Sequence, residues 1–130
     1  ALRFLIAAEA ARGARCRYTT SHLVHAAHHV GVDWDKLAAL PSYRDDPRYT
    51  QQERKALAIA TAGGSLPVRE PGQAITQARQ VFTEEEIVEI VSCVAMVGWF
   101  NRWNGLMGSE LELVPSEALA RAPWLQELEV

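Results

Sequence analysis

The segment from Thr83 to Met107 sets the strongest limit on how this chain can fold. Thr83 and Glu86 have the spacing of a capping box, in which each side chain accepts a hydrogen bond from the other residue's backbone N–H at a helix start. An uncharged stretch of 12 residues, Ile90 to Asn101, follows within the same segment. A helix that is apolar on nearly every side must be covered on nearly every side. We therefore expect this helix to be the central helix of a bundle or to be completed by a partner chain.

The remainder of the chain also indicates helices. Alanine supplies 20 of the 130 residues, and alternating β-branched runs are few. The predicted helices are Leu2 to Arg12, Arg17 to Val30, Trp34 to Leu40, Gln51 to about Ala62, about Gly72 to Gln80, Glu84 to about Met107, and a last short one opening at Pro115 and Ser116. Glycines at Gly13, Gly31 and Gly63-Gly64 are expected to end helices. The expected fold class is therefore all-α, with Cys16 at the start of the second helix of a hairpin.

Length and charge narrow the classes of partner. A chain of 130 residues is expected to form one domain, 1–130, and 48% hydrophobic with 22% charged residues is typical of a folded globular protein. The net charge of −3 leaves no basic excess for a polyphosphate backbone, so we expect no nucleic-acid partner. The 12-residue stretch from Ile90 to Asn101 is shorter than the ~18 residues that a bilayer span needs, so we expect no membrane association.

The cysteines indicate the cellular compartment, and the first residue indicates whether the sequence is a fragment. Cys16 and Cys93 are too few for a disulfide scaffold, and neither belongs to a CxxC pattern. A reducing, cytoplasmic location fits best. Ala1 stands where an initiator methionine would be, which suggests that the sequence is an N-terminally truncated piece.

The segment from Cys16 to His29 is the best candidate for chemistry, because it holds all four histidines and one of the two cysteines. Cys16 precedes a predicted helix and is flanked by Arg15 and Arg17. Unpaired N–H groups, the helix dipole and these two cations should favour its thiolate. The alternative is a small buried hydrophobe, since the helical phase groups Cys16 with apolar residues farther along the helix.

The histidines support two further hypotheses. His22, His25 and His29 share one helix face, and an i, i+4 histidine pair can ligate zinc. The nearest carboxylates lie beyond the helix, so we favour half-solvated histidines and expect neither a metal nor another cofactor. His22 follows Cys16 by six residues, close enough to exchange a proton with it directly or through water.

A third cluster combines aromatic rings and sulfur at three- to four-residue spacing on the long helix. Its members are Met96, Trp99, Phe100, Trp103 and Met107. Such a cluster is usually part of a core and only occasionally a ligand pocket. We therefore expect it to be core.

Four segments together resemble a known family. They are Glu9 to His22, Tyr49 to Ala58, Phe82 to Val91 and Phe100 to Gly108. In this order they are similar to the carboxymuconolactone decarboxylase family, and within it to the alkylhydroperoxidase D-like, peroxidase-related branch. The resemblance implies an all-α fold of packed helical hairpins that assembles as a homo-oligomer. It also implies an active site at a helix start near a subunit interface.

The redox motif of that family is altered in this chain. The family has a glutamate, eleven residues, a CxxC pair and, after three more residues, a histidine. The first cysteine matches Cys16, but the second falls on Thr19, the histidine on Leu23 and the glutamate on Phe4, with His22 one residue early. In the active peroxidases the second cysteine attacks peroxide and the first resolves its sulfenic acid. A threonine cannot do this, so the usual dithiol cycle is not expected.

Three functions remain open. In the first, a thiol peroxidase or antioxidant protein, Cys16 attacks a small hydroperoxide, His22 assists proton transfer and an external thiol reduces the product. In the second, a decarboxylase-like lyase acts on a small organic acid, with His22 or His25 and Glu9 or Glu53 as acid and base. The third is an oligomeric binding scaffold without turnover.

Overall fold

The computed structural model describes residues 1–129, which form seven α-helices, two 3-10 helices and no β-strand. The α-helices are α1 (Leu2–Gly13), α2 (Arg17–His29), α3 (Trp34–Ala38), α4 (Gln51–Gly64), α5 (Gln73–Ala78), α6 (Glu84–Met107) and α7 (Leu113–Arg121). The 3-10 helices are Leu40–Ser42 and Pro123–Glu127. The all-α prediction is confirmed. None of the helices in this part of the chain combines the length and hydropathy that a bilayer span requires.

Helix α1, not α6, occupies the centre of the bundle. Every residue from Leu5 to Ala11 is buried, and α1 packs against α2, α4 and α6. Its many alanines let three neighbouring helices approach closely at once. Helix α6 buries only one stripe, which consists of Ile87, Ile90, Val94 and Val97. Of the two alternatives for α6, the central position in the bundle is therefore wrong, and completion by a partner chain stays a prediction because this chain leaves much of the apolar surface of α6 uncovered.

The close approach of α4 to α1 and to α6 depends on glycine. A Cβ on Gly64 would lie 2.6 Å from the carbonyl oxygen of Ala10, and one on Gly63 would lie 2.8 Å from Val94 Cγ1. Larger side chains would force the helices apart. Both glycines are the last residues of α4, which ends at Gly64 as the sequence predicted. They therefore combine the helix end with close packing.

Local signals set the other helix ends well. Thr50 and Thr83 form both predicted capping boxes, and α6 has its predicted bounds, ending at Gly108 in the left-handed region with φ +63°. Gly31, at φ +107°, follows α2 as predicted. Helix α7 begins two residues before Pro115, because the first four N–H groups of a helix have no partner in it and a proline is tolerated there.

Candidate functional site

Cys16 is the N-cap residue of α2. Its N–H donates to the carbonyl of Ala11 at 3.2 Å, and its own carbonyl accepts from the N–H of Thr20 at 3.0 Å. The turn between the helices passes through Arg15, which has φ +59°. The hairpin thus brings the thiol to the positive end of α2, as the sequence predicted, and Cys16 is only 7% exposed.

A chain of hydrogen bonds leads to the thiol. Cys16 Sγ lies 3.3 Å from Thr19 Oγ1, which accepts a hydrogen bond from Asn104 Nδ2 at 3.2 Å. Ser109 Oγ donates to Asn104 Oδ1 at 3.1 Å. Because Thr19 Oγ1 already accepts from Asn104, its own hydrogen is free to point to the sulfur. The arrangement can therefore stabilise a negative charge on Sγ. Sequence reasoning missed Asn104 and Ser109, although Asn104 lies in one of the segments that carry the family resemblance.

The two flanking arginines hold the C-terminal segment. Arg17 Nε and Nη2 donate to the carbonyl of Leu128 at 3.1 and 3.0 Å. Arg15 donates to the carbonyl of Glu127 at 3.1 Å and lies 3.5 Å from the carboxylate of Glu129. Their guanidinium contacts therefore stabilise the chain end against the start of α2, and the direct support for the sulfur comes from Thr19.

His22 lies on a different side of α2 from the thiol. Six residues correspond to about 240° around a helix, and His22 Nε2 contacts Glu112 Oε2 at 2.8 Å. Tyr18 OH donates to Glu112 Oε1 at 3.0 Å, and its ring centre is 4.6 Å from that of His22. The backbone N–H of Glu112, His22 and Tyr18 together lower the pKa of the Glu112 carboxyl. A proton transfer between His22 and Cys16 would therefore need a water relay.

The other histidines have separate surroundings. His28 stacks on Trp34 with ring centres 4.1 Å apart, and its Nδ1 lies 3.0 Å from the carbonyl oxygen of Val32. His25 is half-buried, and its Nδ1 has no hydrogen-bond partner within residues 1–129. His29 is exposed. No group of three histidine, cysteine or acidic side chains in the described part of the chain is placed to hold a metal ion.

Glu9 belongs to a buried polar network. Its carboxylate is fully buried and accepts from Arg12 Nε and Nη2 at 2.7 and 2.8 Å. Thr61 Oγ1 donates to Glu9 Oε1 at 2.7 Å and lies 2.8 Å from the hydroxyl of Tyr43. The hydrogen bond and charge of Glu9 raise the pKa of Arg12. This network ties α1 to α4.

Both carboxylate oxygens of Glu53 accept hydrogen bonds at the start of α4. Its Oε2 accepts from Lys36 Nζ at 2.7 Å, and its Oε1 accepts from the backbone N–H of Thr50. Burial opposes ionisation, but the bonds from Lys36 and Thr50 outweigh it and lower the pKa of the Glu53 carboxyl. The structure therefore does not join Glu53 to the histidines of α2 as an acid–base pair.

The aromatic cluster of α6 lies on the surface, so its assignment to the core is wrong. Trp99 and Trp103 are stacked with ring centres 5.4 Å apart and are 56% and 53% exposed. We call the exposed residues of this region the aromatic face: Met96, Trp99, Phe100, Trp103, Leu106, Met107, Leu113 and Val114. Helix α6 has 24 residues, whereas its partners α1 and α4 have 12 and 14. Its second half therefore extends past the helices that could cover it.

Comparisons with known proteins identify structural relatives. No protein-family model and no curated protein sequence matches the chain. The crystal structure of the debrominase Bmp8 matches with a TM-score of 0.88 and 30% identity, over 93% of this chain. A cysteine-to-alanine variant of that debrominase, in complex with 2,3,4-tribromopyrrole, matches equally well. This chain covers 65% of the length of the debrominase chain, less than two thirds.

A third structure links the fold to antioxidant proteins. It is a protein of unknown function from Agrobacterium tumefaciens that is assigned to antioxidant defence as AhpD. Its TM-score is 0.79 at 25% identity, and the match covers 86% of this chain and 77% of that one.

Proposed function

We propose that this chain is a member of the alkylhydroperoxidase D-like branch of the carboxymuconolactone decarboxylase family and that it is a thiol oxidoreductase that reduces a small hydroperoxide with Cys16. The observation that carries the proposal is the chain of hydrogen bonds that runs from Ser109 through Asn104 and Thr19 to the sulfur. A thiolate is the nucleophile in such chemistry, and hydrogen bonds to sulfur favour it.

The first step is attack of Cys16 Sγ on the terminal peroxide oxygen. The S–O bond forms as the O–O bond breaks, which leaves Cys16 as a sulfenic acid and releases an alkoxide. The alkoxide takes one proton and departs as an alcohol. We assign delivery of this proton to His22 through water, since its side chain is 41% exposed and its partner Glu112 holds the ring in place.

The second step needs an external thiol, because Thr19 cannot form a disulfide with Cys16. One thiol condenses with the sulfenic acid, which releases water and leaves a mixed disulfide. A second thiol attacks that disulfide, releases the oxidised reductant and restores Cys16. The expected cycle therefore depends on the concentration of a small monothiol.

A second candidate is reductive debromination of a small aromatic compound. It is favoured by the 30% identity to a debrominase over 93% of this chain. In that reaction Cys16 Sγ takes bromine from carbon, the carbon receives a proton, and a thiol converts the sulfenyl bromide to a mixed disulfide with release of bromide. A second thiol then restores Cys16. The same sulfur and the same reductant serve both reactions.

We also propose that the active form is a homo-oligomer. The aromatic face is larger than isolated exposed apolar residues require, and such patches mark interfaces. Asn104 lies on the same half of α6 as Trp99 and Trp103 and contacts Thr19. Cover of the aromatic face by a second copy would therefore also cover the half of α6 that supports the thiol.

The test is consumption of cumene hydroperoxide with excess monothiol by the wild type, Cys16→Ser and Cys93→Ser. Cys93→Ser is the matched control, since it removes the other thiol. The proposal requires that Cys16→Ser abolish turnover and that Cys93→Ser retain it. Turnover that survives in Cys16→Ser would overturn it. A parallel assay of bromide release from a brominated pyrrole decides between the two substrates, and failure of both would favour the binding scaffold.

A further inference from the structure

The larger of the two described cavities lies away from the thiol, between α4 and the segment that leads into α5. Its volume is about 770 Å³, against about 280 Å³ for the second cavity. Arg54, Lys55 and Thr61 line it from α4, and Arg69 and Gln73 line it from the opposite side. A volume of this size accommodates a small organic molecule.

The lining of this cavity is strongly cationic although the chain is acidic. Arg44, Arg54, Lys55 and Arg69 line it, and Glu70 is its one carboxylate. Six of the chain's 13 lysines and arginines pair with a carboxylate within residues 1–129, and four of the other seven are these cavity residues. Like charges grouped in a concave site repel one another and attract an anion.

Two of these cations are held in place before any ligand arrives. Arg54 donates from Nε to the carbonyl of Tyr43 at 3.2 Å and from Nη2 to the carbonyl of Asp46 at 2.7 Å. Neutral carbonyl partners fix the guanidinium without neutralising it, and they leave other N–H groups free. The guanidinium of Arg44 lies 5.0 Å from the ring centre of Tyr43. Such preorganisation lowers the entropy cost of binding.

The inner wall of the cavity is neutral and partly apolar. The hydroxyl of Tyr43 contacts Thr61 Oγ1, which in turn donates to the buried carboxylate of Glu9. These hydroxyls are already paired, and Ala58 and Ala62 provide small apolar contacts beside them. A fitting ligand therefore has a short carbon frame and two or more anionic groups.

We propose that this cavity binds a small organic polyanion carrying carboxylate or phosphate groups, at a site separate from Cys16. The inference does not rest on the proposed thiol chemistry. The shared recognition element is the set of four cations, among which arginine suits both carboxylate and phosphate.

The test is isothermal titration calorimetry of the full chain with citrate and with pyrophosphate at constant ionic strength. Glycerol is the neutral probe. One citrate or pyrophosphate should bind each chain, and glycerol should not bind. The relative affinity of the two anions distinguishes a carboxylate from a phosphate ligand. Lys55→Gln and Arg69→Gln should each weaken binding at least about tenfold, because each removes a charge-assisted contact.

The matched control is Arg121→Gln, which makes the same change of net charge at an exposed arginine outside this cavity. It should bind the anion like the wild type, and so should Cys16→Ser, which separates this site from the thiol reaction. Absence of binding at millimolar concentration in the wild type would overturn the proposal. Equal weakening in Arg121→Gln would also overturn it, since net charge alone would then explain the affinity.

Discussion

Asn104 Nδ2 donates a hydrogen bond to Thr19 Oγ1 across 3.2 Å. Asn104, near the end of α6, thereby orients Thr19, which stands where a CxxC motif has its second cysteine. Thr19 in turn contacts Cys16. Thr19, which replaces the second cysteine of the family motif, is thus part of a hydrogen-bonded site. The first two predictions follow from this contact.

Replacement Thr19→Cys should create a working dithiol. The new sulfur would stand three residues from Cys16, where the present Oγ1 lies 3.3 Å from Sγ, so a disulfide can close and a dithiol reductant can reopen it. Peroxide turnover with a dithiol should rise at least about tenfold, which is about 1.4 kcal/mol in the barrier. Thr19→Ser, which keeps the hydroxyl, should show no such gain. An unchanged rate in Thr19→Cys would contradict the prediction.

Replacement Asn104→Ala should slow oxidation of Cys16 by peroxide. Thr19 would lose the donor that directs its hydrogen toward the sulfur, and one such bond is worth about 1 kcal/mol, or roughly fivefold in rate. Stopped-flow measurement of sulfenic acid formation at fixed pH gives the rate. Asn101→Ala is the control, because Asn101 Oδ1 has no hydrogen-bond partner within residues 1–129. Equal effects of both variants would exclude a specific role for Asn104.

Cys16 should react with iodoacetamide faster than Cys93. Burial raises the pKa of the Cys93 thiol, although Arg3 acts in the opposite direction. At neutral pH, Cys93 therefore carries less thiolate than an ordinary exposed cysteine does. Cys16 has the helix start and the Thr19 hydroxyl. Mass spectrometry of the native protein measures both rates, and the unfolded protein should label them alike. Faster labelling of Cys93 would argue against a functional thiol at Cys16.

Replacement Trp103→Glu should dissociate the proposed homo-oligomer. Trp103 is 53% exposed in the single chain, so a glutamate there should not disturb the fold. In the oligomer the same carboxylate would be buried in the interface without a partner, which is costly. Light scattering coupled to gel filtration should give a smaller mass than for the wild type at micromolar concentration. Val68→Glu, at a residue 45% exposed outside the aromatic face, should leave the mass unchanged. A monomeric wild type would refute oligomerisation.

Replacement Glu9→Gln should destabilise the fold by about 2–4 kcal/mol, because it leaves the guanidinium of Arg12 partly buried without its anion. Arg12 is 27% exposed in this pair and Glu9 is fully buried. The free energy of unfolding in urea measures the loss. Glu89→Gln, which breaks an exposed pair with Arg3, should cost less than about 1 kcal/mol. Similar losses in the two variants would mean that the buried network contributes little.

Local signals in the sequence were enough to determine the all-α class, both capping boxes, the bounds of α6 and the place of Cys16 at the start of α2. A cap, a left-handed glycine or an uncharged helical stretch acts within a few residues of the chain, so each can be recognised from the sequence. The resemblance to the family, carried by four segments in a fixed order, was equally accessible.

The tertiary structure alone decided which helix is central and what surrounds the thiol. Thr19 and Asn104 are 85 residues apart, and the direction of Arg17 depends on where the chain end returns. The aromatic face is exposed because α6 is longer than α1 and α4. The four cations meet because the segments around Arg44 and Arg69, before and after α4, both hydrogen-bond to that helix. Such contacts are fixed by helix length and packing between distant segments, which periodicity along one helix does not encode.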